Sequence, residues 1–161
     1  MDILWIKTNP IIKNIFSNYV WTIPNDEKKV FLTFDDGPVP DVTDFVLNEL
    51  AKRNQKATFF MVGDNLRKFP ELGKAVLQSG HTIGNHTHNH LNGWKTTNEA
   101  YFKNVEAFDQ ILEKTLGIQT DLFRPPYGLL SSYQAKKVSD SKRIVMWNVL
   151  SGDYDIDLNP N

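Results

Sequence analysis

From Val30 onward the sequence alternates between short runs of β-branched and aromatic residues and longer stretches with helical periodicity, and this alternation limits what the chain can become. The extended runs are "VFLTFDD" at 30–36, stopped by "GPVP", then "ATFFMVG" at 57–63, "HTIGNH" at 81–86, "DLFR" at 121–124 and "RIVMWNVL" at 143–150. Between them, Val42, Phe45, Val46 and Leu50 share one helical face behind a capping Asp41, and the stretch after Pro70 reads as a helix ended by Gly80. Phe102, Val105, Phe108, Ile111, Leu112 and Leu116 make a long amphipathic helix closed by Gly117, and a further helix is expected around Tyr133 to Val138. Strand followed by helix, repeated, predicts an α/β fold with a parallel sheet or barrel and right-handed crossovers.

In such folds chemistry gathers at the C-terminal ends of the strands. The polar residues that interrupt this apolar pattern fall there: Asp35 and Asp36 after the first strand, His86 after the third, Arg124 after the fourth and Asp153 after the fifth. Asp35 and Asp36 stand in "TFDDGP", which on its own reads as a turn. Charge at the end of so apolar a strand is costly, however, and a cation would remove that cost. In "GNHTHNHLN" the histidines 86, 88 and 90 alternate. On a helical turn His86 and His90 share a face and His88 points away, whereas on a strand all three line one face. Gly84, Asn85 and Asn92 are turn formers, which favours the helical pair.

The remaining sequence excludes more than it assigns. A chain of 161 residues suits one core, with residues 1–29 as a lead-in segment packing against a domain at 30–161. Lys and Arg number 18 against 19 Asp and Glu, so no basic surplus points to nucleic acid. The absence of cysteine removes thiolate ligands and thiol nucleophiles. The apolar N-terminus is broken by Lys7, Pro10 and Lys13 before it reaches the roughly 20 residues of a membrane span. It lacks a signal-peptide pattern, so a cytoplasmic location is the default expectation. No motif specifies an oligomeric state.

"TFDDG" at 33–37, "HTHNH" at 86–90 and "RPPYG" at 124–128, in this order and at these separations, resemble the motifs of polysaccharide deacetylases, carbohydrate esterase family 4 with its NodB-homology domain. The resemblance implies a distorted (β/α) barrel that hydrolyses N-acetyl or O-acetyl groups on glycans such as chitin oligomers or peptidoglycan. It implies a divalent metal, usually zinc with Co2+ or a similar ion also fitting, held by Asp36, His86 and His90, with Asp35 as general base. It further implies that Arg124 orients Asp35 and that the Tyr127 backbone N–H helps bind the oxyanion, on a loop stiffened by Pro125 and Pro126. Thr87 resembles the Ser or Thr that supports the histidine loop.

Asp153 in "LSGDYD" matches the fourth family motif in part, because Tyr154 replaces the usual Trp and Leu150 the usual earlier Asp. The family's last motif, a Leu-x-His whose histidine protonates the leaving amine, has no counterpart: all four histidines lie between 81 and 90. The expected fold therefore lacks its C-terminal strands. The alternative function is a metal- or glycan-binding relative without the general acid. His81 is expected to be structural, and Trp147 to belong to the core.

Overall fold

The computed structural model describes residues 7–152. Five short strands, β1 (Thr33–Asp35), β2 (Thr58–Met61), β3 (Thr82–Asn85), β4 (Leu122–Phe123) and β5 (Arg143–Ile144), pair in parallel in the order of the chain. The helices are α1 (Pro10–Ile15), α2 (Val42–Lys52), α3 (Gly63–Lys68), α4 (Pro70–Gln78), α5 (Asn98–Leu116) and α6 (Ser132–Val138). Sequential parallel order without reversal is the winding of a (β/α) barrel, here as an open five-stranded sheet whose edges are β1 and β5. α2 packs on α4, α4 on α5 and α5 on α6, as same-handed crossovers require.

One apolar cluster, with Phe59, Met61, Leu66, Val76, Ile83, Phe108 and Leu112, fills the space between β1–β3 and their helices. A second, with Tyr101, Val105, Phe123, Ala135, Val138 and Ile144, lies under β4 and β5. Both use α5, whose buried side chains recur at helical spacing. Gly117, at φ 67°, ends that helix as its sequence position suggested.

Two expectations about the strands need correction. β1 starts at Thr33 rather than Val30; Leu32 still accepts a hydrogen bond from Thr58 N–H, but Val30 and Phe31 are exposed. β5 ends at Ile144; Val145 N–H still donates to the Phe123 carbonyl of β4 at 2.8 Å, and the other side of the chain here meets the N-terminal segment. Val20 N–H donates to the Ile144 carbonyl and Met146 N–H to that of Val20, at 2.8 and 2.9 Å, while Thr8 N–H donates to Asn148 at 3.0 Å. Tyr19, Trp21 and Trp147 pack against the second cluster from this side. α3 is a six-residue helix with no sign in the sequence, in a stretch too short to show periodicity. Among the described residues no helix is long and apolar enough to cross a membrane.

Candidate metal centre and its surroundings

The sheet register sets Asp35 level with Phe60, Met61 with Asn85, and Asn85 with Phe123. Asp36, His86 and Arg124, the residues that follow strand ends in β1, β3 and β4, therefore emerge on one rim. Asp36 turns out of β1 through a left-handed backbone, φ 67°, and its carbonyl accepts a hydrogen bond from Asn65 Nδ2 at 2.8 Å.

His86 and His90 do come together, with ring centroids 5.1 Å apart, but not on a helix. They are joined by an irregular loop in which Thr87 and His90 adopt φ 63° and 54°. Asn85, fully buried at the end of β3, starts this turn: its Oδ1 accepts the Thr87 N–H at 2.8 Å, and its Nδ2 donates to the Val105 carbonyl and to Asp109. Thr87 Oγ1 then accepts the Leu91 N–H at 3.2 Å. The helical reading failed because these side-chain bonds, rather than i to i+4 bonds, hold the backbone.

His86 is buried, and its Nδ1 lies 2.7 Å from the Arg124 carbonyl, which can only accept. The proton is therefore on Nδ1, and the Nε2 lone pair faces Asp36 Oδ1 at 3.4 Å. His90 Nε2 lies 3.0 Å from the same oxygen. When Nε2 of His86 and then of His90 carries a proton, its hydrogen bond holds the Asp36 carboxyl well below the usual carboxylate range. A lone pair opposite a carboxylate calls for positive charge between them, either a proton or a metal ion. Ligand atoms about 2.0–2.1 Å from a tetrahedral zinc lie roughly 3.3 Å apart, close to the spacing found here. One ligand atom from each of Asp36, His86 and His90 lies within 4.8 Å of the others, so the three fit a divalent cation. A pocket of about 280 Å³ opens beside them, lined by Asp36, Val62, Asp64, Asn65, Asn89 and His90.

Arg124 is only 2% exposed. Its Nη1 donates to Asp35 Oδ1 and Thr33 Oγ1, both at 2.8 Å, Nε to the Val145 carbonyl at 3.1 Å and Nη2 to the Met146 carbonyl at 3.0 Å. Its guanidinium carbon lies 4.2 Å from the centre of the Phe60 ring. Burial lowers its pKa, against the opposing pull of Asp35. Tyr127, at φ 61°, sets its ring edge-on to His90 with centroids 4.7 Å apart. Asp153 lies outside the described residues.

His88 points away from the cation cluster and packs against Gly63, where a Cβ would stand 2.5 Å from its Nδ1. His81 Nδ1 accepts the Ala57 N–H at 3.3 Å, a bond inside the sheet away from the rim. Sequence reasoning passed over Asn85 as a turn former and did not consider Asn104, whose only signal was a polar residue on an amphipathic helix.

The family model for polysaccharide deacetylase matches residues 22–143. The chain belongs to this family. It is 37% identical over 137 residues to a peptidoglycan-N-acetylglucosamine deacetylase of Bacillus cereus, covering 84% of this chain and 50% of that protein. It is 32% identical over 135 residues to a chitooligosaccharide deacetylase of Azorhizobium caulinodans, covering 83% and 64%. The crystal structure of the Bc1960 peptidoglycan N-acetylglucosamine deacetylase, in complex with 4-naphthalen-1-yl-N-oxidanyl-benzamide, superposes with a TM-score of 0.79 at 33% identity, covering 87% of this chain and 65% of that one. The chain thus spans about half the length of the first of these relatives.

Proposed function

We propose that the chain carries the metal half-site of a deacetylase acting on N-acetylated glycans of the peptidoglycan or chitin-oligomer type. The observation that carries this reading is the convergence of Asp36, His86 and His90 on one point next to the Asp35–Arg124 pair. The names of the relatives from Bacillus cereus and Azorhizobium caulinodans support the substrate class. The N-oxidanyl-benzamide bound by Bc1960 is a hydroxamic acid, a chelating group, which supports a cation.

Asp36, His86 and His90 would hold the cation, with zinc the favoured ion. When bound, it would polarise the acetyl carbonyl and acidify a water molecule. The residues of the chain do the rest. Asp35 takes the proton of the attacking water, and Arg124 fixes the direction of the receiving carboxylate through Nη1. The Arg124 carbonyl fixes the His86 tautomer, so that Nε2 keeps its lone pair. The Tyr127 backbone N–H donates to the oxyanion of the tetrahedral intermediate.

The four histidines of the chain all lie between 81 and 90: His86 and His90 belong to the cation cluster, His81 is bonded to Ala57 N–H and His88 is packed against Gly63. This favours a second reading for residues 1–161 taken alone, cation or glycan binding with weak hydrolysis. One experiment separates the two. The chain is titrated with zinc by calorimetry and assayed for acetate release from an aryl acetate and from N-acetylglucosamine oligomers. The phenolate of an aryl acetate leaves without protonation, whereas the amine of the amide needs a general acid worth typically 10²–10⁴-fold. Stoichiometric zinc binding, aryl acetate turnover abolished by Asp35→Asn, and little amide turnover are expected. Absence of zinc binding would sink the reading, and efficient amide hydrolysis would show that another group delivers the proton.

A further inference from the structure

The loop from His86 to His90 is held against its own conformational preference, since Thr87 and His90 are both left-handed residues bearing a Cβ. Its polar backbone groups are divided between two helices. On one side the Thr87 and His88 carbonyls accept from Gly63 N–H and Asp64 N–H at the start of α3, at 3.0 and 2.8 Å. On the other side a single side chain of α5 receives the loop. Asn104 Oδ1 accepts from both His88 N–H and Asn89 N–H at 2.8 Å, and Asn104 Nδ2 donates to Asn89 Oδ1 at 2.8 Å.

We propose that Asn104 is a positioning residue for the cation site: its carboxamide clamps residues 88 and 89, and through them sets where the His90 ring stands relative to His86 and Asp36. The proposal rests on the reading of those three residues as the cation site. A polar residue on a helix face is ordinarily hydrated, but all three side-chain bonds of Asn104 go to one loop. Asn also forms helix less well than Ala, so the helix itself does not call for it. The amide is the one side chain that can accept two N–H groups at one end and donate to a carbonyl oxygen at the other. By occupying Asn89 Oδ1 it also leaves Asn89 Nδ2 as the group free to face the pocket beside His90.

The test uses Asn104→Ala and Asn104→Asp in the same chain. Ala removes all three side-chain bonds without harming the helix. Asp keeps the two accepted N–H bonds, and the third returns if the Asn89 amide turns to present Nδ2. Zinc affinity, measured by competition with a chromophoric chelator, should fall about 10–100-fold in Asn104→Ala and return to the parental value or above in Asn104→Asp. The Co2+ d–d spectrum should change in the first variant alone. Hydrogen exchange without metal gives an independent readout: Asn89 N–H loses its partner in Asn104→Ala and should exchange about tenfold faster or more. His88 N–H should change less, because it also reaches the Asn104 backbone carbonyl at 3.1 Å. Parental affinity and parental Asn89 exchange in Asn104→Ala would overturn the proposal, and so would an Asn104→Asp variant as impaired as Asn104→Ala. If the parental chain itself binds no zinc, the cation reading fails, and Asn89 exchange alone decides whether Asn104 is a clamp.

Discussion

Replacing Asp35 by Asn tests more than a proton acceptor, because it removes the counter-charge of a buried guanidinium. The side chain of Arg124 is 3% exposed and that of Asp35 33%, with 2.8 Å between Nη1 and Oδ1. Two unit charges centred about 4 Å apart interact by roughly 4 kcal/mol at an effective dielectric of 20. Solvent reaches Asp35 and screens part of this, so about 2 kcal/mol is the expected loss on Asp35→Asn. The burial that lowers the Arg124 pKa outweighs what Asp35 returns, so the cation has no surplus stability to draw on. Against a typical total of about 5–15 kcal/mol such a loss is large. Arg124→Met would by itself strand the Val145 and Met146 carbonyls and Thr33 Oγ1, but it removes the buried charge. In Asp35→Asn combined with Arg124→Met the two losses should therefore add to less than their sum, with a coupling of roughly 1–3 kcal/mol. Urea unfolding of the four proteins, with the m-value checked for constancy, measures this. An Asp35→Asn variant as stable as its parent, or strictly additive losses, would show that Arg124 does not depend on Asp35 for compensation.

Gly63→Ala should place a Cβ 2.5 Å from His88 Nδ1 and 3.1 Å from His88 Cα, costing about 1–3 kcal/mol and weakening zinc binding by displacing the loop. Adding His88→Ala, which alone should leave zinc binding nearly unchanged, should recover part of the affinity; calorimetry showing no loss in Gly63→Ala would refute the packing argument. His81 should make the fold acid-sensitive, since burial, and then the charge of Lys56, hold its pKa below that of free imidazole. Its contribution is present above the unfolded value of about 6.5 and is lost as pH falls below it, so unfolding free energies between pH 7.5 and 5.5 should drop more in the parent than in His81→Gln. Equal slopes would remove His81 from the account.

Sheet order, the longer helices and the residues that meet at the rim were legible because each has a local signal: apolar runs bounded by Gly and Pro, a 3.6-residue period in α5, and an unusual pair of acids after an apolar strand. The conformation that unites His86 and His90 was not. Spacing predicts which side chains meet only where the backbone is regular, and here it is set by Asn85, Thr87 and Asn104 through bonds that cross up to 16 positions of sequence. β5 was overestimated for a related reason. "RIVMWNVL" has strand composition throughout, yet after the Val145 N–H, which still donates to Phe123 of β4, its partners are Val20, Arg124 and Thr8 rather than a neighbouring strand. Composition reports what a segment favours; the partner that arrives decides whether a ladder forms.

A loop with two left-handed residues stores roughly 1–3 kcal/mol at each, more than a free segment of this length would sustain. The bonds that offset this strain come from α3 on one side and α5 on the other, and those two helices also pack against each other. The spacing of the Asp36, His86 and His90 ligand atoms is therefore a property of the helix pair as much as of the loop. Asp36 is tied into the same frame, since Asn65 of α3 donates to its carbonyl. Substitutions at the α3–α5 contact, well removed from any ligand atom, should consequently be read out first as a change in cation affinity and only later as a change in global stability.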